Sequence, residues 1–212
     1  MAQLFTVHPD NPQARLIRQA AEIVRAGGVI VYPTDSCYAL GCHIGDKAAM
    51  ERIRAIRGVD DRHHLTLVCR NLAEIAQYAR VDNSQFRLLK AATPGSFTFI
   101  LRATKEVPKR LMHPRRRTIG LRVPEHKVTQ ALLAELDEPL LSSTLILPGD
   151  EQPLNHVDEI RSRLERGVDA VLDAGSCGIV PTTVIDMTGD TPIVLRRGKG
   201  ALDLFGAVES NP

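Results

Sequence analysis

The side chains of this sequence best able to do chemistry gather in six short segments. In Val29-Ile-Val-Tyr-Pro-Thr-Asp-Ser-Cys-Tyr-Ala-Leu-Gly41 an apolar run passes through a proline turn into Thr34, Asp35, Ser36 and Tyr38. Beyond the end of a buried strand, such hydroxyls and a carboxylate suit a small polar ligand with an amine and a hydroxyl. The same residues also make a well-capped turn that needs no ligand. In Ile53–Leu65, Arg54, Arg57, Arg62, His63 and His64 surround Gly58. A guanidinium there can grip phosphate through two parallel bonds, or simply answer the dipole at a helix C-terminus. Adjacent histidines in a strand point to opposite faces, which argues against a shared metal.

Thr93-Pro-Gly-Ser-Phe-Thr-Phe-Ile-Leu101 is a glycine turn feeding a strand on which Ser96, Thr98 and Ile100 share a face. In Thr118-Ile-Gly-Leu-Arg-Val-Pro124 the charge of Arg122 is bracketed by apolar residues, so it needs an anion from the protein or from a ligand. Pro181-Thr-Thr-Val-Ile-Asp186 and Val194-Leu-Arg-Arg-Gly198 set Thr182, Thr183 and Arg196 at the edges of apolar strands. The chain has no Walker A loop, no G-x-G-x-x-G after a strand, no G-x-S-x-G and no H-E-x-x-H. Binding of an anionic, nucleotide-like ligand by arginine and backbone is therefore favoured over covalent hydrolysis.

Alternating helix and strand signals must position these residues. Asn11-Pro12 reads as the start of a helix over Leu16–Val24, ended by Gly27-Gly28. Asp46 and Asn71 read as caps of two further helices, and Gly58 as a helix stop. Helices are also expected around Phe86–Leu89, Val128–Leu136 and Val157–Leu164. Strands are expected at Val29–Tyr32, Leu65–Cys69, Phe97–Leu101, Thr118–Val123, Leu140–Leu147, Val168–Leu172, Thr182–Met187 and Ile193–Leu195. Such alternation means helices packed on a partly parallel, partly antiparallel sheet in one domain over residues 1–212. Pro148–His156 reads as the loosest connection, and the tail after Gly200 has only Leu202, Leu204 and Phe205 to anchor it.

Composition sets the frame. Of 212 residues, 43% are hydrophobic and 25% charged, which suits a globular chain with a proper core and excludes wholesale disorder. No apolar run approaches the roughly 18 residues of a bilayer span, so no membrane partner is expected, and the chain reads as soluble and cytoplasmic. Cys37, Cys42, Cys69 and Cys177 form no Cys-x-x-Cys pair and read as buried or half-buried thiols, with no structural metal. The net charge of +2 hides an asymmetry. Arg102–Arg117 holds seven basic residues against Glu106 alone, a local +6, so the remainder sums to −4. Such a run is either a solvated loop or a field for a polyanion, with Arg110, Arg115, Arg116 and Arg117 as candidate RNA contacts.

Tyr32-Pro-Thr-Asp-Ser-Cys-Tyr-Ala-Leu-Gly41, Thr93-Pro-Gly-Ser-Phe-Thr98, Gly120-Leu-Arg-Val-Pro124, Thr182-Thr-Val-Ile-Asp186 and Leu195-Arg-Arg-Gly198 stand in the order seen in the YrdC-like family. The resemblance runs from about Pro12 to Gly198 and is strongest to the YciO branch. It implies a YrdC/RibB-like mixed α/β fold, with a twisted sheet enclosing a basic concave groove. It also implies binding of ATP or AMP with Mg²⁺, and of double-stranded RNA or tRNA. The best-known family activity makes threonylcarbamoyl-adenylate from L-threonine, bicarbonate and ATP, releasing pyrophosphate. Carried over by position, Thr34, Tyr38, Arg122, Thr182 and Thr183 would line the threonine and bicarbonate pocket, and Arg57, Thr144 and Arg196 would face nucleotide phosphate.

Two departures from the family pattern bear on activity. The synthases carry Lys-x-Arg before a proline, where this chain has Arg57-Gly58-Val59-Asp60; one cation is kept and the other is a valine. They also carry Ser-x-Asn, where this chain has Thr144-Leu145-Ile146, so the hydroxyl survives and the amide is gone. A guanidinium lost from phosphate forfeits about 1.5–3 kcal/mol. The resemblance thus leaves three readings: a weak or retargeted enzyme, a nucleotide- and RNA-binding module, and an enzyme acting on a different acyl-adenylate or carbamoyl substrate.

Overall fold

In the computed structural model residues 1–61 and 63–205 are described; Arg62, one of the arginines around Gly58, lies outside them. Eleven strands form one mixed sheet. They are β1 (Gln3–Thr6), β2 (Ile30–Tyr32), β3 (Ala39–His43), β4 (Thr66–Val68), β5 (Ala79–Arg80), β6 (Phe97–Ala103), β7 (Thr118–Arg122), β8 (Leu140–Thr144), β9 (Ala170–Asp173), β10 (Thr183–Asp186) and β11 (Ile193–Arg196). Their order is β1-β9-β2-β3-β8-β4-β7-β6-β10-β11, with β5 paired to β6. The helices are α1 (Ala14–Arg25), α2 (Lys47–Arg57), α3 (Leu72–Tyr78), α4 (Asn83–Ala92), α5 (Lys127–Leu136) and α6 (Val157–Leu164). This is the mixed α/β architecture expected.

Local chemistry explains most boundaries. The Asp46 carboxylate accepts the Ala49 N–H (2.8 Å) and Asn71 accepts the Glu74 N–H (3.1 Å), as the sequence predicts for caps. Gly58 closes α2 at φ 62°, and a Cβ there would lie 2.6 Å from Pro148 Cγ, so glycine is required on both counts. One start differs from expectation. The N-cap of α1 is Gln13 rather than Asn11, because Asn11 belongs to a turn in which His8 Nδ1 accepts the Asp10 and Asn11 N–H groups.

The cover on the two sheet faces is unequal, and this creates the site. One face carries Val31, Leu40, Leu67, Phe99, Leu121 and Ile185, packed with α2, α3, α4 and α6. The other face is covered at one end only, where α1 and α5 bury Ile30, Tyr32, Ala39, Leu140 and Ala170. Cross-strand register carries that second face onward through Gly41, Ser142, Thr66, Gly120 and Ile100. Apolar residues there give way to hydroxyls and glycine. The Tyr32 hydroxyl, 2.7 Å from Ser142 Oγ, marks the change.

The basic run is neither a free loop nor a single patch. Val107 and Leu111 anchor it in the core, and a short 3₁₀ turn spans Lys109–Leu111. Pro148–His156 is likewise tied down, with Leu154 buried and its N–H on the Leu145 carbonyl. After Gly200, Phe205 packs its ring against Phe97 and Phe99, at 5.5 and 6.3 Å between centroids.

Candidate functional site

The uncovered stretch of sheet floors a cavity of about 210 Å³. Alternation along the strands presents Thr98 and Ile100 from β6, Thr118, Gly120 and Arg122 from β7, and Val184 from β10, while their neighbours Phe99, Leu121 and Ile185 point into the core. Ser142, Ser143 and Thr144 come from β8, Ser36, Cys37 and Tyr38 from the turn before β3, and Arg57 from the end of α2. Of the positions carried over by resemblance, Tyr38, Arg57, Arg122, Thr144, Thr182 and Arg196 all line this one cavity, from six separate segments.

Thr34 and Thr183 are not among the lining residues. Thr34 Oγ1 donates to the Cys37 carbonyl (2.6 Å) and accepts the Ser36 and Cys37 N–H groups, which builds the turn that aims Ser36–Tyr38 at the cavity. Thr183 Oγ1 donates to the Gly200 carbonyl (2.7 Å) and accepts the Gly198 N–H (3.0 Å). Both hydroxyls hold backbone. Tyr38 lines the wall with its ring while its hydroxyl donates to the Gly175 carbonyl (2.7 Å), and burial raises its pKa.

The anion that Arg122 needs is supplied from within the protein. Its Nη2 pairs with Asp35 Oδ1, both side chains being 9% exposed, and Nη1 lies 3.4 Å from Ser36 Oγ. Asp35 is steadied by Ser96 Oγ at 3.0 Å, and Lys199 Nζ donates to its backbone carbonyl. Arg122 Nε remains buried with no hydrogen bond among the described residues.

Arg57 and Arg196 differ from Arg122, since neither forms an ion pair among the described residues. Arg57 Nη1 donates to the Ile146 carbonyl (2.8 Å) and its Nε is buried without a partner. Arg196 donates to the Thr182 carbonyl from Nε (3.2 Å) and Nη2 (2.9 Å). Burial lowers the pKa of both guanidiniums; Arg196 adds to the effect on Arg57, and Arg122 to that on Arg196. The cavity therefore carries a positive field that its own walls leave unanswered. No Asp or Glu lines it among the described residues. Cys37 does, but burial pushes its thiol up to about 11, so it is protonated at neutral pH.

The four candidate RNA residues disperse. Only Arg116 reaches the cavity, while pairing with Asp186 at 3.2 Å. Arg110 donates to the Gly45 carbonyl (2.6 Å) on the β3–α2 connection. Arg117 lines a neighbouring hollow with Arg80, Arg102, Lys105 and Arg116, and Arg115 is exposed. Arg54 pairs with Glu51 at 3.0 Å and does not line the cavity. His63, His64 and His113 do, although opposite directions are expected of the first two. They precede β4 rather than lying in it, so strand alternation does not apply. Of these three, sequence reading gave no role to His113. The buried Ser-Ser-Thr at the end of an apolar strand is the signal that could have found Ser142 and Ser143.

A family model described as "Telomere recombination", built on the Sua5, YciO and YrdC proteins, matches residues 22–198. The chain belongs to the Sua5/YciO/YrdC family. Within that family it is 58% identical to YciO of Escherichia coli (strain K12) over 205 residues, which is 97% of this chain and all of that one. The crystal structure of Escherichia coli YciO superposes with a TM-score of 0.93 at 57% identity, over the same shares of the two chains. A threonylcarbamoyl-AMP synthase of Halorhodospira halophila is 31% identical over 191 residues, 89% of this chain and 98% of that protein. Sua5 of P. abyssi, in complex with L-threonine, gives a TM-score of 0.90 at 23% identity over 99% of this chain and 62% of its own. At that identity the likeness speaks for the fold alone. No helix among the described residues is long and apolar enough to cross a membrane.

Proposed function

We propose that the cavity binds an adenine nucleotide by its phosphates and that the chain serves tRNA threonylcarbamoyl modification as a weak threonylcarbamoyl-AMP synthase. The reaction takes L-threonine, bicarbonate and ATP to threonylcarbamoyl-AMP, pyrophosphate and water. The observation that carries this reading is the meeting of Arg57 and Arg196, both without carboxylate partners among the described residues, beside the hydroxyls of Thr144 and Thr182 on one sheet face. Two cations with no counter-charge of their own make a poor structural element and a good phosphate site. Tyr38, Ser36 and the Asp35-held Arg122 would form the amino-acid end, Arg122 Nε offering a donor to a carboxylate or carbamate. Holding the carbamate against the α-phosphate is the chief work asked of the walls. With no carboxylate among the described lining residues, the chain offers Mg²⁺ no ligand of the kind it prefers, so magnesium would enter only on the phosphates of ATP.

Weakness follows from two positions. Ile146 lines the cavity where the synthases have asparagine, and its side chain cannot hydrogen-bond there. Val59 replaces a guanidinium and is not among the lining residues. Pyrophosphate release should depend jointly on threonine, bicarbonate and ATP, and Val59→Arg with Ile146→Asn should raise its rate at least about tenfold. Release that ignores threonine, or no gain in the double variant, would count against the reading.

The hollow lined by Arg80, Arg102, Lys105 and Arg117 adjoins the cavity through Arg116 and Thr118, and favours an RNA ligand beside the nucleotide. Binding of duplex RNA should weaken steeply with salt and with little regard to sequence. Arg115, Arg116 and Arg117 changed together to alanine should flatten the log–log salt slope by about 0.9 for each phosphate no longer neutralised. An unchanged slope removes them from the footprint.

A further inference from the structure

The cationic end of the cavity carries three imidazoles. His63 and His64, between α2 and β4, and His113, in the turn before β7, line the same space as Arg57 and Arg116. The His64 and His113 rings lie 4.9 Å apart between centroids, tilted by 39°. His113 Nδ1 accepts the N–H groups of Arg115 (3.2 Å) and Arg116 (3.1 Å), which leaves the proton of the neutral ring on Nε2, free to donate. Among the described residues neither the His63 nor the His64 imidazole has a hydrogen-bond partner.

We propose that His63 and His64 form a proton-linked phosphate site, with the Nε2–H of His113 as a third donor, supplying at this end of the cavity the positive charge that the valine at position 59 lacks. The proposal rests on the nucleotide reading and adds to it which residues hold the diphosphate and how they do so. A neutral imidazole offers one N–H; a protonated one offers two and a charge. The surroundings of His63 and His64 disfavour the protonated rings. Arg54 and Arg57 from α2 and Arg116 from the β6–β7 turn face the imidazoles, Asp60 is the nearby acid, and Asp186 is engaged with Arg116. Burial first, then Arg57 for His63 and His113 for His64, lowers the pKa of both rings below 6.5. An entering phosphate inverts that balance by favouring the imidazolium.

The sign follows. The bound form has the higher pKa, so binding takes up protons, and affinity rises as pH falls through the bound pKa, levelling off below the free one. The probe must not titrate in that window, which ATP does and ADP-ribose, a diphosphate diester, does not. We expect calorimetric titration of ADP-ribose to give a Kd at least about tenfold tighter at pH 5.5 than at pH 8.5, with net proton uptake in buffers of different ionisation enthalpy. His63→Gln with His64→Gln should retain binding at pH 8.5 and lose most of the pH dependence. Independently of folding in that variant, ADP-ribose should raise the NMR titration midpoints of His63 and His64 in the unaltered protein. Binding with a constant Kd and unmoved midpoints overturns the histidine site alone. No binding at any pH overturns the nucleotide reading, and the site with it.

Discussion

Asp35→Ala is expected to destabilise the protein by about 3–5 kcal/mol and to abolish ligand binding in the cavity. The expectation comes from burial. Arg122 and Asp35 are each 9% exposed, and among the described residues Nε of Arg122 is already buried without a partner. Removing the carboxylate leaves a guanidinium in the middle of the sheet with no counter-charge, and either it stays there at high cost or β7 moves to let water in. A second change separates stability from function. Adding Arg122→Met removes the stranded charge and should restore most of the lost stability, since a well-packed apolar side chain often replaces a buried pair without loss. It should not restore binding, because the group facing the amino-acid end is gone. Urea denaturation and a threonine titration on the two variants check both halves. An Asp35→Ala protein with an unchanged midpoint would mean that the pair does not hold the sheet here.

Arg57→Ala is the second large effect. This residue is placed by three cooperating features: the last turn of α2, Gly58 at φ 62°, and the bond from Nη1 to the Ile146 carbonyl. None of them supplies a negative charge, so removing the side chain relieves repulsion from Arg196 while deleting the proposed donor to phosphate. Stability should change little, and nucleotide affinity should fall by about 10- to 150-fold, the worth of one charge-assisted contact. Arg57→Lys should recover only part, since an ammonium cannot reproduce the fork that also reaches Ile146. A loss of stability as large as the loss of affinity would make Arg57 structural instead.

What could be read from the sequence was local. The caps at Asp46 and Asn71, the stop at Gly58 and the hydroxyl face of β6 each depend on residues within a turn or a strand of one another, and all stand as expected. β1 and β3 went unread for different reasons. β1 is a four-residue edge strand with one buried side chain, Phe5, and β3 is an apolar run that follows directly on the turn at Thr34. Neither has the alternation or the punctuation that marks a strand. At the site, Arg122's need for an anion was legible, but the choice of Asp35, 87 positions earlier, was made by register across the sheet. The hydroxyls of Thr34 and Thr183 looked like ligand groups because a turn that binds and a turn that merely holds itself use the same residue types. The basic run read as one patch, whereas folding sends Arg110 to the β3–α2 connection and leaves Arg116 and Arg117 in one hollow, with Arg116 also reaching the cavity.

A crystal structure of the protein soaked with ATP decides whether the uncovered face of the sheet is shaped around phosphate. Nucleotide density is expected in the cavity, with phosphate oxygens within hydrogen-bonding distance of both Arg57 and Arg196. A cavity without density at saturating ATP, or a nucleotide whose phosphates lie away from those two arginines, would contradict it.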